Sequence, residues 1–489
     1  MTTGNSCRVK SISLLTLTFL YMLCWSGPIW SEENSPLVTI RIYISNAHDR
    51  ETLRQKNIPF QKQSTVPFVD THVTLHDVQS LKHDGLNVTV LPERKQNPSL
   101  PDAYLPYGQI ENTLFALQTR FPGIVHIEKI GVSTTLGLPI WAAKVSDNAQ
   151  ADENEPTILF QGLHHARELI GANVCLDLLT TLCENYHKNE DVTRWLDSEE
   201  IWLLPVLNPD GYKYIFEHDI GFPWWRKNLR DNNGDGQFST INDGVDLNRN
   251  YDFNWYDGDE DSKSWFYRGE HPFSENETQA IRNLAQRENF VLGISYHSYG
   301  ESVLYPWGNY SQPPDIELIV DIANNLAKTM SLNSKNGHYM ILPLDGKIGQ
   351  SSNWMYSHIR TIDYIVEVGR EYIPESDEVP FILQQQRKAA FFLLNRLLQT
   401  GIKGLVYDSD SKRPVSAEIN ILQLQADYVN PKKTDKTYGA FYQLVNPGKY
   451  TIQIRSEEYQ DKVIKNVKIE KNKFTELNIP LQPKSNWTR

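Results

Sequence analysis

The chain has 489 residues, of which 40% are hydrophobic and 22% are charged, and its formal net charge is −12. These ordinary globular values exclude collagen-like, low-complexity and largely disordered proteins, and the length suggests about three domains. From Gly401 onward, 15 Lys and Arg face 10 Asp and Glu, so the negative charge belongs to the first 400 residues. Because such an acidic body repels phosphate backbones, we expect no nucleic acid partner.

Residues 1–27 have the order of a signal peptide. Arg8 and Lys10 precede an apolar run from Ile12 to Cys24, and small residues for cleavage follow. The run is shorter than the ~20 residues of a membrane helix. We therefore predict a secreted or periplasmic protein without a transmembrane segment, and the alternative is a buried N-terminal helix.

A small α+β unit is predicted at residues 36–100, where short alternating stretches favour strands around one helix. We expect strands at Leu37–Ser45, Thr71–Leu75 and Leu86–Leu91, and a helix at Asp77–His83. A polar, proline-bearing link over Glu93–Pro106 follows.

Residues 103–400 alternate between helical and strand patterns, which predicts an α/β sheet with helices on both faces. The expected helices are Tyr107–Phe121, Asn173–Tyr186, Asp315–Met330 and Pro380–Gln399. The expected strands are Val125–Gly131, Ile140–Lys144, Thr157–Gly162, Ile201–Val206, Val291–Tyr296 and Asp363–Val368. Residues 401–483 show strands only, separated by turns such as Asn446-Pro-Gly448, and predict a β-sandwich.

Two of the four cysteines, Cys175 and Cys183, lie outside the signal segment. On a helix their separation along the axis is about 12 Å, since each residue rises ~1.5 Å. A disulfide needs Cα atoms within ~7 Å. We therefore predict two unpaired thiols in the core.

A candidate metal motif follows the strand at Thr157–Gly162. His165 and Glu168 are three residues apart and can chelate one ion, and His297 ends another hydrophobic strand. Catalytic zinc sites use three such ligands and leave one position open. Each residue also has an ordinary structural explanation, because His-x-x-Glu arises by chance and a lone His is often a core residue.

Three further polar motifs follow apolar segments. Arg226 lies in Trp-Arg-Lys, Asn248 and Arg249 lie in Asp-Leu-Asn-Arg-Asn, and Glu367 stands between two valines. Taken singly, these fit an ion pair, a turn and a strand-edge charge. Glu367 is the most informative, because an unpartnered buried carboxylate costs several kcal/mol.

Together these motifs resemble the zinc metallocarboxypeptidases of the carboxypeptidase A and carboxypeptidase T type, from about Tyr107 to Gln399. The resemblance implies a mixed, mostly parallel central sheet and one Zn²⁺ per chain on His165, Glu168 and His297. It implies that Glu367 acts as general base and then general acid on a zinc-activated water.

The same resemblance implies that Arg226 polarises the scissile carbonyl, while Asn248 and Arg249 bind the terminal carboxylate of a peptide or protein. Arg167, Ser298 and Tyr299 are implied as substrate-binding residues. We expect a monomeric enzyme.

Two positions depart from the family pattern. The family's tyrosine that closes over bound substrate lies 22 residues before the glutamate, and Asp345 stands at that position here. The nearest upstream tyrosine is Tyr339, and Tyr310 is an alternative candidate for the closing role. The residue at the floor of the family's side-chain pocket falls near Ser352, neither large and apolar nor acidic. Lys347 nearby would favour acidic side chains.

Asp231, Asn233 and Asp235 precede Gly236 in a loop that resembles the start of an EF-hand calcium loop. Position twelve is Asn242 instead of glutamate. Structural calcium and a polar turn therefore remain alternatives.

The C-terminal segment, about 400–482, resembles the transthyretin-like domain of regulatory metallocarboxypeptidases, which implies packing, anchoring or binding of an unidentified partner. The N-terminal unit is either an activation peptide, with Glu93-Arg94-Lys95 as a processing site, or a permanent domain. Two other functions stay open: an amidohydrolase of the same fold acting on cell-wall peptides or acylated amino acids, and a non-catalytic adhesion or binding protein.

Overall fold

A computed structural model describes residues 37–44, 46–56, 68–90, 100–218, 225–308, 311–333, 336–346 and 348–484. The predicted signal peptide, the Glu93-Arg94-Lys95 site, Tyr310 and Lys347 lie outside the described residues. Among the helices described, none has the length and apolar character needed to cross a bilayer.

The N-terminal unit is a three-stranded antiparallel sheet of order β2-β1-β3 with two helices. Its elements are β1 (Leu37–Tyr43), α1 (Ala47–Gln55), β2 (Phe68–Thr74), α2 (Leu75–His83) and β3 (Asn87–Val90). Helix α1 was not predicted, because its sequence is mostly polar. It begins with reciprocal hydrogen bonds between the backbone N–H groups and side-chain oxygens of Asn46 and Asp49, at 3.0 and 3.2 Å.

The central domain contains an eight-stranded mixed sheet of order β10-β9-β11-β8-β6-β7-β5-β4. Its strands are β4 (Val125–Val132), β5 (Pro139–Val145), β6 (Thr157–Gly162), β7 (Glu200–Leu204), β8 (Leu292–His297), β9 (Ser302–Tyr305), β10 (Met340–Pro343) and β11 (Ile362–Glu367). The four inner strands, β11, β8, β6 and β7, are parallel to one another. This arrangement confirms the predicted α/β class.

Eight helices surround the sheet in the described part of this domain. They are α3 (Tyr107–Arg120), α4 (Ile170–Asn185), α5 (Glu190–Leu196), α6 (Pro209–Glu217), α7 (Asn276–Glu288), α8 (Ile316–Thr329), α9 (Ser351–Ile359) and α10 (Val379–Leu397). Helix α4 packs on β6 and α10, whereas α9 packs on β11 and α7. Cys175 and Cys183 on α4 are buried and free, which confirms the prediction of unpaired core thiols.

The C-terminal strands form two sheets, of order β15-β12-β18 and β14-β13-β16-β17. They are β12 (Gly401–Asp408), β13 (Glu418–Ile421), β14 (Lys432–Lys433), β15 (Ala440–Leu444), β16 (Gly448–Arg455), β17 (Lys462–Ile469) and β18 (Phe474–Leu481). Ile402, Phe441 and Ile452 belong to their separate core. These features agree with the predicted β-sandwich.

Lys432 joins this sandwich to the central domain. Its ammonium donates hydrogen bonds to the carbonyl oxygens of Asn289, Phe290 and Ile359 at 2.8, 2.8 and 3.2 Å. The lysine is fully buried. The hydrogen bonds replace the water that the ammonium loses on burial.

The parallel inner strands determine where a site can form. Strands β6, β8 and β11 run in one direction, so their carboxyl ends meet at one edge of the sheet. Ligands of open α/β sheets bind at that edge. His297 and Glu367 are the last residues of β8 and β11, and the predicted metal motif follows β6.

Candidate metal centre and surrounding active site

The structure brings the three predicted metal ligands together. Glu168 lies between the two histidines: its Oε1 is 2.8 Å from His165 Nδ1, and its Oε2 is 2.8 Å from His297 Nδ1. The two Nδ1 atoms are 3.0 Å apart. All three side chains are buried at the edge of the sheet.

This donor set fits zinc. Two imidazole nitrogens and one carboxylate are the ligands that catalytic zinc sites use, and Zn–N and Zn–O bonds of ~2.0–2.2 Å place tetrahedral donors about 3.3 Å apart. The observed spacings of 2.8–3.0 Å need only a slight expansion to admit the ion. The two Nδ1 atoms face one another, as nitrogens directed at one cation do.

Each histidine has a further partner on its other ring nitrogen. His165 Nε2 lies 3.2 Å from Asp246 Oδ1, and His297 Nε2 lies 3.2 Å from Ser295 Oγ. Such partners set the tautomer and the ring orientation of metal-binding histidines. They leave the Nδ1 atoms directed toward Glu168.

Asp246 also holds Arg226. The Nε and Nη2 atoms of Arg226 are both 2.9 Å from Asp246 Oδ2. Although burial opposes it, the positive charges of Arg226 and Arg249 hold the pKa of Asp246 well below its ordinary value. One carboxylate therefore orients both a metal ligand and the predicted carbonyl-polarising arginine.

Glu367 ends β11 beside His297. Burial and the negative charge of Glu168 raise the pKa of Glu367 well above its ordinary value, while Arg226 opposes the shift. The residue stays partly exposed. A carboxyl group with a raised pKa next to a predicted metal site is a candidate for accepting and returning a proton.

Asn248 and Arg249 lie on a single 3₁₀ turn, Leu247–Arg249, that begins after Asp246. Asn248 Nδ2 is 3.4 Å from His297 Nε2, and the backbone N–H of Ser351 donates to Asn248 Oδ1 at 2.9 Å. Burial lowers the pKa of Arg249 to about 10, with the charge of Asp246 opposing. Asn248 and Arg249 therefore lie next to the predicted metal centre, and Arg249 contributes a buried positive charge there.

The other predicted substrate-binding residues gather around Tyr372. Arg167 donates to the Tyr372 hydroxyl at 3.0 Å and stacks 3.9 Å from its ring centroid. Ser298 Oγ donates to the Tyr372 carbonyl at 2.9 Å, and the Tyr299 ring packs edge-on against Tyr372 at 4.8 Å. The Tyr299 hydroxyl accepts a hydrogen bond from Arg41 on β1, so the N-terminal unit contacts this group.

Asp246, Ser295 and Tyr372 were not among the predicted site residues. Asp246 was detectable, since it stands two residues before Asn248 in the same polar run. His164 has a structural role: its Nε2 is 3.0 Å from the Tyr251 hydroxyl and its Nδ1 is 3.2 Å from Ser295 Oγ. Tyr372 had no local signal.

The two departures from the family pattern occupy defined places. Asp345 is buried, and its charge acts on Arg249. Tyr339 is buried, and its hydroxyl accepts from the Gly369 N–H at 3.3 Å. Ser352 is fully buried and donates a hydrogen bond to Asp363.

The predicted calcium loop is exposed, and its side chains hydrogen-bond within the loop. Asp231 accepts from the N–H groups of Gly234 and Gly236 at 2.7 and 2.8 Å. Asn233 Nδ2 donates to Asp235 Oδ2 at 2.8 Å. These bonds form a stable turn, and a calcium ion there stays a prediction.

A family model described as zinc carboxypeptidase matches residues 110–389. A zinc carboxypeptidase of Saccharothrix mutabilis subsp. capreolus is 31% identical over 302 residues, covering 51% of this chain and 66% of that protein. Inactive metallocarboxypeptidase ecm14 of Schizosaccharomyces pombe is 31% identical over 274 residues, covering 52% of this chain and 53% of that protein.

Among solved structures, thrombin activatable fibrinolysis inhibitor matches with a TM-score of 0.62 at 21% identity, over 73% of this chain and 98% of that one. At this identity the match supports the fold alone. The chain spans between 30 and 66% of the length of the first four curated relatives.

Proposed function

The chain belongs to the zinc carboxypeptidase family, and we propose that it hydrolyses the last peptide bond of peptides or proteins in a zinc-dependent reaction. The observation that carries this proposal is the convergence of His165, Glu168 and His297 beside Glu367. The zinc ion, when bound by these three residues, supplies activation of water and polarisation of the scissile carbonyl.

Glu367 takes the proton from the attacking water and returns it to the leaving amine. Burial and the charge of Glu168 raise its pKa, and this upward shift favours the protonated form that carries the proton between the two transfers. Arg226 carries a fixed positive charge toward the oxygen that becomes negative in the transition state. Its Nη1 lies 3.2 Å from His165 Nδ1, next to the reacting position, and Asp246 keeps it there.

Asn248 and Arg249 account for cleavage at the end of a chain. A guanidinium binds a carboxylate through two parallel hydrogen bonds, an arrangement that favours a free C-terminus over an internal peptide bond. Arg167, Ser298 and Tyr299, which contact Tyr372, bind the substrate as well.

One relative is named inactive, so family membership does not by itself determine activity. The three metal ligands, the acid–base carboxylate and both arginines are all retained here, and this argues against a non-catalytic binding protein. An amidohydrolase acting on cell-wall peptides or acylated amino acids uses a similar site, and substrate tests separate it from a peptidase.

We also propose that the enzyme is secreted or periplasmic after removal of residues 1–27, that it is monomeric, and that residues 401–483 form a transthyretin-like domain. The exposed loop at Asp231, Asn233 and Asp235 is proposed as a structural calcium site. These statements rest on the residue patterns, and each is open to direct measurement.

The test uses the full chain and N-blocked dipeptides that differ in the last residue. A chelator such as 1,10-phenanthroline abolishes release of the last amino acid, and one equivalent of Zn²⁺ restores it. Murein fragments are not cleaved. Activity that survives complete removal of zinc, or cleavage of murein fragments alone, contradicts the proposal.

A further inference from the structure

We propose that Asp363 binds the positively charged side chain of a C-terminal lysine or arginine, so that the enzyme removes basic residues. This inference rests on the proposed carboxypeptidase function and specifies its substrate class. It depends on a buried carboxylate that lies on the same face of the sheet as the catalytic groups.

The register of two strands places Asp363 below the catalytic carboxylate. Strand side chains alternate between faces, so Asp363, Ile365 and Glu367 share one face of β11. Glu367 pairs with His297 on β8, and Asp363 pairs with Gly293. Asp363 is therefore two side chains deeper than Glu367, beneath the metal centre.

A hydrogen-bonded path links the site for the terminal carboxylate to Asp363. Asn248 accepts from the N–H of Ser351, the first residue of α9. The next residue, Ser352, donates its hydroxyl proton to Asp363 Oδ2. A substrate whose carboxylate meets Asn248 and Arg249 therefore has its last side chain close to Ser352 and Asp363.

The other oxygen of Asp363 has no partner. Asp363 is 1% exposed, and within the described part of the chain its Oδ1 makes no hydrogen bond. No basic side chain of the described residues contacts this carboxyl group, and burial raises its pKa to about 7. An unpaired buried carboxylate is costly, whereas a bound cation compensates for that cost.

The surroundings of Asp363 suit a long cationic side chain. The hydroxyl of Ser351, the residue before Ser352, is also buried without a partner among the described residues. Gly293 lets the carboxylate lie directly against β8, since a Cβ at this position would lie 2.4 Å from Asp363 Oδ1. Ile365 offers an apolar surface for the methylene groups, and the polar atoms receive the charged end.

The experiment compares kcat/KM for blocked dipeptides ending in Lys, Arg, Leu, Gln or Glu. Wild type prefers Lys and Arg over Leu by roughly tenfold or more, and Asp363→Asn lowers the Lys to Leu ratio by roughly 10- to 100-fold. A preference for Leu, Gln or Glu, or an unchanged ratio in the variant, overturns the inference.

The matched control is Asp315→Asn, which alters another buried carboxylate, hydrogen-bonded to Tyr356. This control keeps the wild-type ratio of Lys to Leu cleavage. A second test uses the wild-type protein and therefore does not depend on whether Asp363→Asn folds. Free lysine inhibits the wild-type enzyme more strongly than norleucine, its uncharged analogue. Equal inhibition by the two amino acids contradicts the inference. Cleavage of Leu substrates without preference for Lys rejects this inference alone, whereas no cleavage of any substrate by the zinc-loaded protein rejects the proposed function.

Discussion

Glu367 and His297 are paired residues at the ends of two adjacent parallel strands. The Val368 N–H donates to the His297 carbonyl at 2.7 Å, directly after this pair. The proposed acid–base carboxylate and a predicted metal ligand are thus fixed by the same backbone ladder. Their relative position does not depend on a flexible loop.

Replacing Glu367 tests the catalytic step independently of metal binding. Glu367→Gln keeps the shape of the side chain but cannot accept a proton, so kcat falls by about 10²- to 10⁴-fold. Zinc content stays at one ion per chain, because Glu367 is not a ligand. The measurements are steady-state kinetics and metal analysis, and a variant with wild-type kcat contradicts the assigned role.

Asp246 is predicted to act through its neighbours. Asp246→Asn weakens the orientation of His165 and Arg226, and we expect a loss of about 10- to 100-fold in zinc affinity or activity. Asp243→Asn is the control, since Asp243 accepts from the N–H groups of Asn232 and Ser239 at 3.0 and 2.7 Å and has no hydrogen bond to His165 or Arg226 among the described residues. Zinc titration and kinetics measure the difference. Equal behaviour of the two variants would count against the positioning role.

Lys432 is predicted to hold the C-terminal sandwich on the central domain. Lys432→Met removes the three hydrogen bonds that its ammonium donates to carbonyl groups of the central domain, so the free energy of unfolding falls by about 2 kcal/mol or more. Lys433→Met changes an exposed neighbour and has little effect. Urea unfolding followed by fluorescence compares the two. If both variants are equally stable, the lysine does not stabilise the interface.

The two core thiols are predicted to be unreactive in the native protein. Burial raises the pKa of the Cys183 thiol to about 12, and that of Cys175 higher still. Because the thiolate is the reactive form, iodoacetamide labels neither residue before unfolding and labels both afterwards. The extent of labelling at each cysteine is measured by mass spectrometry of the digested peptides. A disulfide between them, or labelling of the native protein, disagrees with the structure.

Local patterns were sufficient for the long, strongly periodic elements. The predicted bounds of β6 match the structure, and those of α3 and α8 agree within one residue. Helices α5, α6, α7 and α9 and strands β9 and β10 were not predicted. Helix α9 carries Ser and Asn on buried positions, so its sequence lacks an apolar stripe. Strand β10 has four residues at the edge of the sheet, too few to show a period.

The sequence alone determined which chemical groups were available, since His-x-x-Glu, Asn-Arg and the isolated Glu367 each follow a recognisable segment. The tertiary structure decided which of these groups meet and what supports them. Asp246 contacts His165, 81 residues before it, and Arg226, 20 residues before it. At the start of α9, Ser351 contacts Asn248 and Ser352 contacts Asp363. Such contacts depend on strand order, register and loop paths, and local periodicity carries no information on residues so far apart in the chain.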